Sequence, residues 1–366
     1  MSVESITHRN VIADERPFEE WFLEAMNRAG LMLMCSVGYR TGLFDSMAGM
    51  DWAEPEQIAT RAELHPRYVR EWLGAMATGR IVEVDDADRF RLPDEHAFFL
   101  AQVENGERLA YLSQFVGLLG SVEDDIVECF RNGGGVPYER FGRFHEVMAE
   151  ESALTVLVAL DDAILPLVPG LTDRLADGIC MLDVGCGRGR ALMALAERFP
   201  RSEFTGIDLS EEAISWARQK AAELGLDNVR FEVRDATDFD RTAEREAFDF
   251  VTTFDAVHDQ ARPLNVLKGI ARTLKPDGVY LMQDIHAHSH IHGNTDQPLA
   301  PFQYTISCMH CMTVSLAQGG DGLGAMWGRE KALDYLAEAG FTDVDVHQLQ
   351  HDIQNDYFIA RKQAAA

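Results

Sequence analysis

Hydrophobic and polar positions alternate between two periods in the C-terminal half of the chain. Short apolar runs predict strands, and they cover residues 179–184, 203–207, 229–233, 248–254, 279–284 and 343–349. Apolar positions at helical spacing predict the helices between them, at residues 191–198, 211–224, 263–274 and 330–339. Strands that alternate with helices predict right-handed crossovers, and therefore a mainly parallel, doubly wound α/β sheet.

A second pattern, between residues 50 and 100, indicates a helix-turn-helix followed by a hairpin wing. Residues 67–76 predict an amphipathic helix whose buried face is Val69, Trp72, Leu73 and Met76. Residues 81–84 and 89–92 predict a hairpin around an Asp-rich turn. Winged helices read DNA or serve as dimerisation domains. Arginines are present here, including Arg61, Arg67, Arg70 and Arg80, but residues 51–95 hold six arginines against eleven acidic residues, which favours dimerisation.

Apolar helical patterns also cover residues 15–48 and 101–176. The methionines at positions 26, 32 and 34 predict core or dimer contacts. The glycine-rich segment 131–137 is either an active-site lid or a simple connector, and both interpretations stay open. We expect three parts: a helical winged-helix dimerisation domain at 1–100, a helical linker and possible substrate lid at 101–177, and a cofactor-binding domain at 178–363.

Bulk composition narrows the class of protein. The 366 residues carry a formal net charge of −27, which opposes polyanionic partners such as nucleic acid or an anionic membrane surface. No apolar run approaches the roughly 18 residues of a membrane span. Residues 1–5 lack the features of a secretory signal, and six cysteines are too sparse for a disulfide framework. We therefore expect a cytoplasmic protein.

Residues 182–189 (LDVGCGRG) join the first predicted strand of the C-terminal half to its helix. Glycines in such a turn bring backbone N–H groups close to a nucleotide-type cofactor, and NAD, FAD and S-adenosylmethionine sites all use it. Later strand ends discriminate between them. Asp208 ends the second strand, where an acid accepts hydrogen bonds from ribose hydroxyls, and Asp235 ends the third, where a carboxylate can accept from an adenine amine.

Four motifs in this order resemble class I S-adenosylmethionine-dependent methyltransferases: residues 182–189, 206–208, 234–236 and 274–278 (LKPDG). The resemblance is strong over residues 178–285. It implies a seven-stranded, Rossmann-like methyltransferase sheet with an antiparallel last pair, which residues 343–349 and 357–361 fit. With the N-terminal winged helix, the whole chain is similar to a group of bacterial small-molecule methyltransferases of unassigned substrate.

The same resemblance implies roles for matching positions. The glycine turn would lie beside the methionine part of the cofactor, and Asp183 would lie near the amino group of that methionine. Asp208 would hold the ribose, Asp235 and Ala236 the adenine, and Phe254 with Asp255 the sulfonium side. The complete predicted cofactor set is Asp183, Gly185, Gly187, Gly189, Asp208, Leu209, Asp235, Ala236, Phe254 and Asp255.

Methyl transfer from a sulfonium requires a positioned nucleophile and, for weakly acidic acceptors, a base. His258 follows the fourth strand and is the predicted base; Asp259 either orients it or lies in solvent. Histidines also alternate at positions 286, 288, 290 and 292, and Cys308, His310 and Cys311 follow. Three roles are open for these residues: they are metal ligands, they line a substrate pocket, or they are structural. Because the single CxxC has no second CxxC, no metal is expected, and His290, His292 and His310 are predicted to line the substrate pocket.

We therefore expect an S-adenosylmethionine-dependent methyltransferase that transfers a methyl group to an oxygen or sulfur nucleophile of a small molecule. We also expect the protein to be a homodimer. The alternative is a ligand-sensing winged-helix regulator that uses the methyltransferase fold to bind an effector. The acidity of the chain disfavours a nucleic-acid partner, and nothing in it predicts a membrane partner.

Overall fold

The computed structural model describes residues 16–104 and 106–362, so residues 1–5, used above for localisation, lie outside it. The chain divides into two compact units at the Gly120–Ser121 boundary. Residues 101–120, expected in the linker, fall in the first unit, and residues 121–177 fall in the second. Each unit has a hydrophobic core of its own residues and is taken separately below.

The first unit is mainly helical. Its elements are α1 (Phe18–Arg40), α2 (Leu43–Met47), α3 (Pro55–Arg61), α4 (Pro66–Thr78), β1 (Glu83–Val84), β2 (Phe90–Arg91), α5 (Asp94–Leu100), a 3-10 turn (Leu109–Ser113) and α6 (Gln114–Gly120). Proline begins both α3 and α4, where its missing N–H costs no hydrogen bond. Glu54 and Gln57 form a capping box that fixes the start of α3.

The amphipathic face of α4 forms the centre of this unit. Val69, Trp72, Leu73 and Met76 are all at most 2% exposed. The Trp72 indole N–H donates to the Met34 carbonyl at 2.8 Å. The wing is shorter than predicted, since only Glu83–Val84 pairs with Phe90–Arg91. The helix-turn-helix order is nevertheless present, and the hairpin follows it.

Trp72→Ala is expected to lower the free energy of unfolding of the first unit by about 3–5 kcal/mol, because it leaves a large cavity and removes the hydrogen bond to the Met34 carbonyl. Denaturant unfolding of the full chain measures this change. The matched control is Tyr68→Ala on the same helix, 78% exposed, with an expected change within about 0.5 kcal/mol. Equal losses in the two variants would contradict the assignment of α4 as the core helix.

The second unit begins with helical segments and continues as an α/β sheet. The helical part contains α7 (Glu123–Asn132), a 3-10 turn (Tyr138–Arg140), α8 (Phe144–Ser152), π-helical turns (Ala153–Leu157 and Leu160–Ile164), a 3-10 turn (Leu165–Leu167) and α9 (Leu171–Asp177). The α/β part contains β3 (Cys180–Val184), α10 (Arg190–Arg198), β4 (Glu203–Asp208), α11 (Glu211–Leu224), β5 (Val229–Val233), α12 (Phe239–Thr242), β6 (Phe248–Phe254), α13 (Pro263–Thr273), β7 (Leu274–Ile285), a 3-10 turn (Ile291–Asn294), α14 (Ala300–Ile306), a π-helical turn (Ser307–Cys311), α15 (Met312–Ala317), a 3-10 turn (Ala325–Trp327), α16 (Gly328–Ala339), β8 (Phe341–Leu349) and β9 (Asp352–Lys362).

The sheet has the order β5-β4-β3-β6-β7-β9-β8. Strands β3 to β7 run parallel, whereas β9 pairs antiparallel with both β7 and β8. Two large apolar clusters contain side chains of alternating positions in the central strands, which is why these strands read as nearly continuous hydrophobic runs. The predicted seven-stranded sheet and its antiparallel last pair are confirmed.

Two local expectations differ from the structure. Residues 274–278 are part of β7 rather than a separate turn, although pairing with β6 jumps from Leu274 to Val279, so the residues between form an irregularity. The histidine-rich segment follows the end of β7, and a 3-10 turn covers Ile291–Asn294, so His292 is not in an extended segment. Within residues 16–104 and 106–362, no helix has the length and apolarity needed to cross a bilayer.

Candidate active site

A cavity of about 810 Å³ lies in the second unit at the carboxyl ends of β3, β4 and β6. This is the edge of a parallel sheet where ligands bind in open α/β folds. Nine of the ten predicted cofactor residues line it: Asp183, Gly185, Gly187, Gly189, Asp208, Leu209, Ala236, Phe254 and Asp255. Other lining residues come from segment 137–157 and include Tyr138, Phe141, Phe144 and His145. The volume suits a nucleoside-sized ligand together with a small acceptor.

The glycine turn after β3 requires its glycines for two reasons. Gly185 has φ +75°, and a Cβ there would lie 2.4 Å from the Ala256 Cβ. Gly187 also has positive φ, +52°, but a Cβ there would meet no protein atom within 4 Å. The turn is therefore packed against the end of β6 at Gly185, and it is open toward the cavity at Gly187.

Asp208 holds the first two strand-end loops together. One carboxylate oxygen accepts the Gly187 N–H and the other accepts the Ser210 N–H, each at 2.8 Å. Ser210 in turn caps α11 through the Ala213 N–H. Asp235, by contrast, lies outside the cavity lining and accepts from the backbone N–H and hydroxyl of Thr237. The third strand end thus contributes Ala236 to the cavity wall.

Two buried carboxyls face the methionine side that the resemblance predicts. Burial raises the pKa of Asp183 to about 7, although its hydrogen bond from the Thr252 hydroxyl opposes this. Burial and then the nearby Asp284 raise the pKa of Asp255 well above its usual range. The Asp255 residue has φ +50°, and its Oδ1 is buried without a partner among the described residues. An unpartnered carboxyl oxygen in the cavity wall fits a cationic ligand such as S-adenosylmethionine.

His258 lies just behind the cavity and is 4% exposed. Its Nδ1 is 2.8 Å from Oδ1 of Asp284, which also accepts from the Trp327 indole N–H at 2.9 Å. Burial lowers the pKa of His258, but Asp284 and a hydrogen bond with Cys311 outweigh burial, and the pKa lies well above the usual range. With Asp255, this pair forms a group whose ligand atoms lie within 4.8 Å of one another. Oδ1 of Asp284 is already hydrogen-bonded to the imidazole of His258 and the indole of Trp327.

Asp259 lines the cavity and has a different partner from the one expected. The Tyr138 hydroxyl donates to its Oδ2 at 2.5 Å, whereas no hydrogen bond joins its carboxylate to the His258 side chain in the described structure. Burial raises the pKa of Asp259 to about 6, opposed by His258 and by the Tyr138 hydrogen bond. Asp259 therefore does not orient the imidazole, and it does not lie in open solvent.

The three histidines predicted to line the substrate pocket are not brought together. His290 and His292 are exposed and stack on each other at 5.8 Å, away from the cavity lining. His310 is 1% exposed and stacks on Phe144 with ring centroids 3.6 Å apart. It therefore lies directly behind an aromatic wall of the cavity.

Sequence reasoning missed two residues of this site. Asp284 ends the predicted strand 279–284, so its position beside the ends of β6 and β7 was available from topology. Tyr138 comes from a loop with no periodic signal, and only the tertiary structure places it against Asp259.

Comparisons with known proteins agree with this geometry. Residues 175–340 match the family described as "Methyltransferase domain", and residues 29–102 match the "Rv2258c-like winged HTH domain". Residues 175–340 are thus similar to a methyltransferase domain, and residues 29–102 to an Rv2258c-like winged helix-turn-helix domain. The predicted fold class is confirmed.

Individual relatives match parts of the chain. It is 30% identical over 128 residues to (S)-coclaurine N-methyltransferase of Papaver somniferum, covering 34% of this chain and 36% of that protein. The chain thus spans about a third of the length of this relative. It is 28% identical to erythromycin 3''-O-methyltransferase of Saccharopolyspora erythraea, covering 62% of this chain and 74% of that protein. The structure of human N-acetylserotonin methyltransferase matches with a TM-score of 0.65 at 17% identity, covering 96% of this chain and 99% of that one.

The two glycines of the turn allow a matched test. Gly185→Ala is expected to lower both Tm and affinity for S-adenosylmethionine, because its Cβ collides with Ala256. Gly187→Ala is expected to weaken binding with a smaller loss of Tm, since only strain of roughly 1–2 kcal/mol opposes it in the free protein. Thermal unfolding and calorimetric titration measure both quantities. An equal loss of Tm in the two variants would contradict the packing described here.

Proposed function

We propose that the whole protein transfers a methyl group from S-adenosylmethionine to a hydroxyl oxygen of a small molecule, with His258 as the base. The observation that carries this proposal is the buried pair between His258 Nδ1 and Asp284 Oδ1, at the end of β7 and directly behind the cavity. The similarity to an O-methyltransferase over 62% of the chain also supports oxygen.

Different residues of the site have different roles in such a reaction. The cofactor, when bound, supplies an electrophilic methyl group. The glycine turn, Asp208 and Ala236 hold the nucleoside end of the cavity, and Asp255 presents a carboxyl to the positive charge. Asp284 orients the imidazole of His258 and stabilises its protonated form. Its other nitrogen would take the hydroxyl proton, in competition with the hydrogen bond to Cys311.

The pair also favours oxygen over sulfur as the acceptor. A thiol loses its proton near neutral pH, so its methylation needs little base catalysis. An alcohol or phenol needs a base with a pKa near or above neutrality. Asp284 raises the pKa of the His258 imidazole against the effect of burial, which fits a group that takes a proton.

The alternative regulator function has less support. A DNA-reading winged helix presents free arginines or lysines to phosphates. In the first unit Arg67, Arg89 and Arg91 instead form ion pairs with Glu71, Asp85 and Glu83. The charges of these three arginines are thus already balanced by acidic partners.

His258→Ala is expected to reduce methyl transfer to a hydroxyl acceptor by about 100-fold or more, with unchanged affinity for the cofactor. Asp284→Asn is the matched variant, because it keeps size but removes the charge that holds the pKa of His258 high. Its acid limb in a pH–rate profile is expected to move to lower pH, since burial then dominates the pKa. Radiolabelled methyl transfer measures both; full activity in His258→Ala would remove this residue from the mechanism.

We also propose that the protein is a homodimer that associates through the N-terminal half of α1. This helix exposes a dense apolar surface, formed by Phe18, Trp21, Phe22, Leu23 and Met26 at 43–71% exposure. Such a surface is unusual on a monomer with a net charge of −27 and suits a second copy of the same helix.

Phe22→Asp with Met26→Asp is expected to convert a dimer into a monomer in analytical ultracentrifugation, because two charges then fall in the apolar contact. The control is Glu19→Asp on the same helix, which leaves that surface unchanged. A wild-type protein that sediments as a monomer would contradict the proposed dimer.

A further inference from the structure

A short segment between α7 and α8, residues 133–140, crosses the cavity wall and is called the strap below. Its contacts are specific. A Cβ on Gly135 would lie 2.0 Å from the Thr313 carbonyl oxygen, so the strap backbone packs directly on α15. The Val136 N–H donates to the Thr313 hydroxyl at 2.8 Å. The strap is therefore anchored on α15 at the residues that directly precede Tyr138.

Beyond this anchor, Tyr138 reaches into the cavity. Its ring packs edge-on against His310 at 5.4 Å and parallel to His145 at 6.0 Å. These contacts orient the ring so that its hydroxyl donates to Asp259 at 2.5 Å. Both side chains line the cavity. The donor and acceptor are 121 positions apart in sequence, so only this docking brings them together.

We infer that Tyr138 is a positioning residue that holds the Asp259 carboxylate toward the methyl acceptor. This inference rests on the proposed function, because it assigns the acceptor side of the same cavity. The hydrogen bond fixes one carboxylate oxygen and leaves the other to contact an acceptor hydroxyl. Oδ1 of Asp259 has only a long contact, 3.4 Å, from the amide of Gln260.

Other groups around Asp259 do not replace the phenol. The titratable neighbours are His258 on the same loop, Asp284 behind it, Asp208 at the end of β4, and Cys311 of the adjacent π-helical turn. Only His258 and Tyr138 favour the ionised carboxylate, whereas the two aspartates oppose it. Removing the phenolic hydroxyl therefore raises the pKa of Asp259 above its value of about 6.

The test is Tyr138→Phe, which removes one oxygen and keeps the ring. We expect KM for the hydroxyl acceptor to rise roughly ten-fold, corresponding to one hydrogen-bond contribution, with unchanged affinity for S-adenosylmethionine. Tyr280→Phe is the matched control: Tyr280 is fully buried, its hydroxyl bonds Thr253 at 2.7 Å, and it is outside the cavity lining. It should lose stability without the change in KM.

A double variant tests whether Tyr138 acts through Asp259. If it does, Tyr138→Phe adds nothing further to Asp259→Asn, so the double variant matches the single one. Additive losses would overturn the inference and indicate an independent role for the phenol.

A readout that does not depend on activity separates this inference from the proposed function. Carboxyl-carbon NMR of the full-length protein, with Asp259→Asn to assign the signal, reports the titration of Asp259. An upward shift of this titration in Tyr138→Phe supports the inference even if no hydroxyl acceptor is methylated, in which case the proposed function fails alone. An unchanged titration overturns the inference whether or not the enzyme is active.

Discussion

The buried carboxylate of Asp284 is the interaction on which the site depends. A charge that is 1% exposed is very costly unless it is paired and hydrogen-bonded. Asp284 meets this condition on one oxygen, which accepts from the His258 ring, the Trp327 indole and the Ile285 N–H. Two separate segments, those that carry His258 and Trp327, are thereby fixed relative to the end of β7. The position of the imidazole follows from the need to stabilise this charge.

The second consequence is that the cavity is assembled from strand ends and closed by segments from elsewhere in the chain. Parallel strands bring Asp183, Asp208 and Asp255 to one edge, because each follows or ends a strand of the same direction. The opposite wall comes from α8 and the strap, which have no such constraint. The predicted cofactor side is therefore formed by the ends of the strands, whereas the proposed acceptor side is formed by segments outside the sheet.

This division also explains what the sequence could predict. The strands, the glycine turn and the positions of Asp208 and Ala236 follow from periodicity and from motifs tied to strand ends. Asp235 was assigned to the adenine by the same logic, yet its side chain closes a local turn with Thr237. His290 and His292 were assigned from composition, which carries no information on direction. No sequence pattern predicts the role of Tyr138. Its hydroxyl contacts Asp259 only because Gly135 packs on α15 in the folded protein.

The acidic lining finally determines how the cavity responds to a bound cation. Burial raises the pKa of Asp183 to about 7 and that of Asp259 to about 6, and it raises the pKa of Asp255 well above its usual range. At neutral pH Asp183 is thus partly protonated in the free protein, and burial disfavours the ionised form of the other two carboxyls. A positive charge placed beside them favours their ionised forms, so binding a cation releases protons and strengthens as pH rises through this range. Since the Asp259 carboxyl also accepts the Tyr138 hydroxyl, its ionisation is linked to the position of the strap.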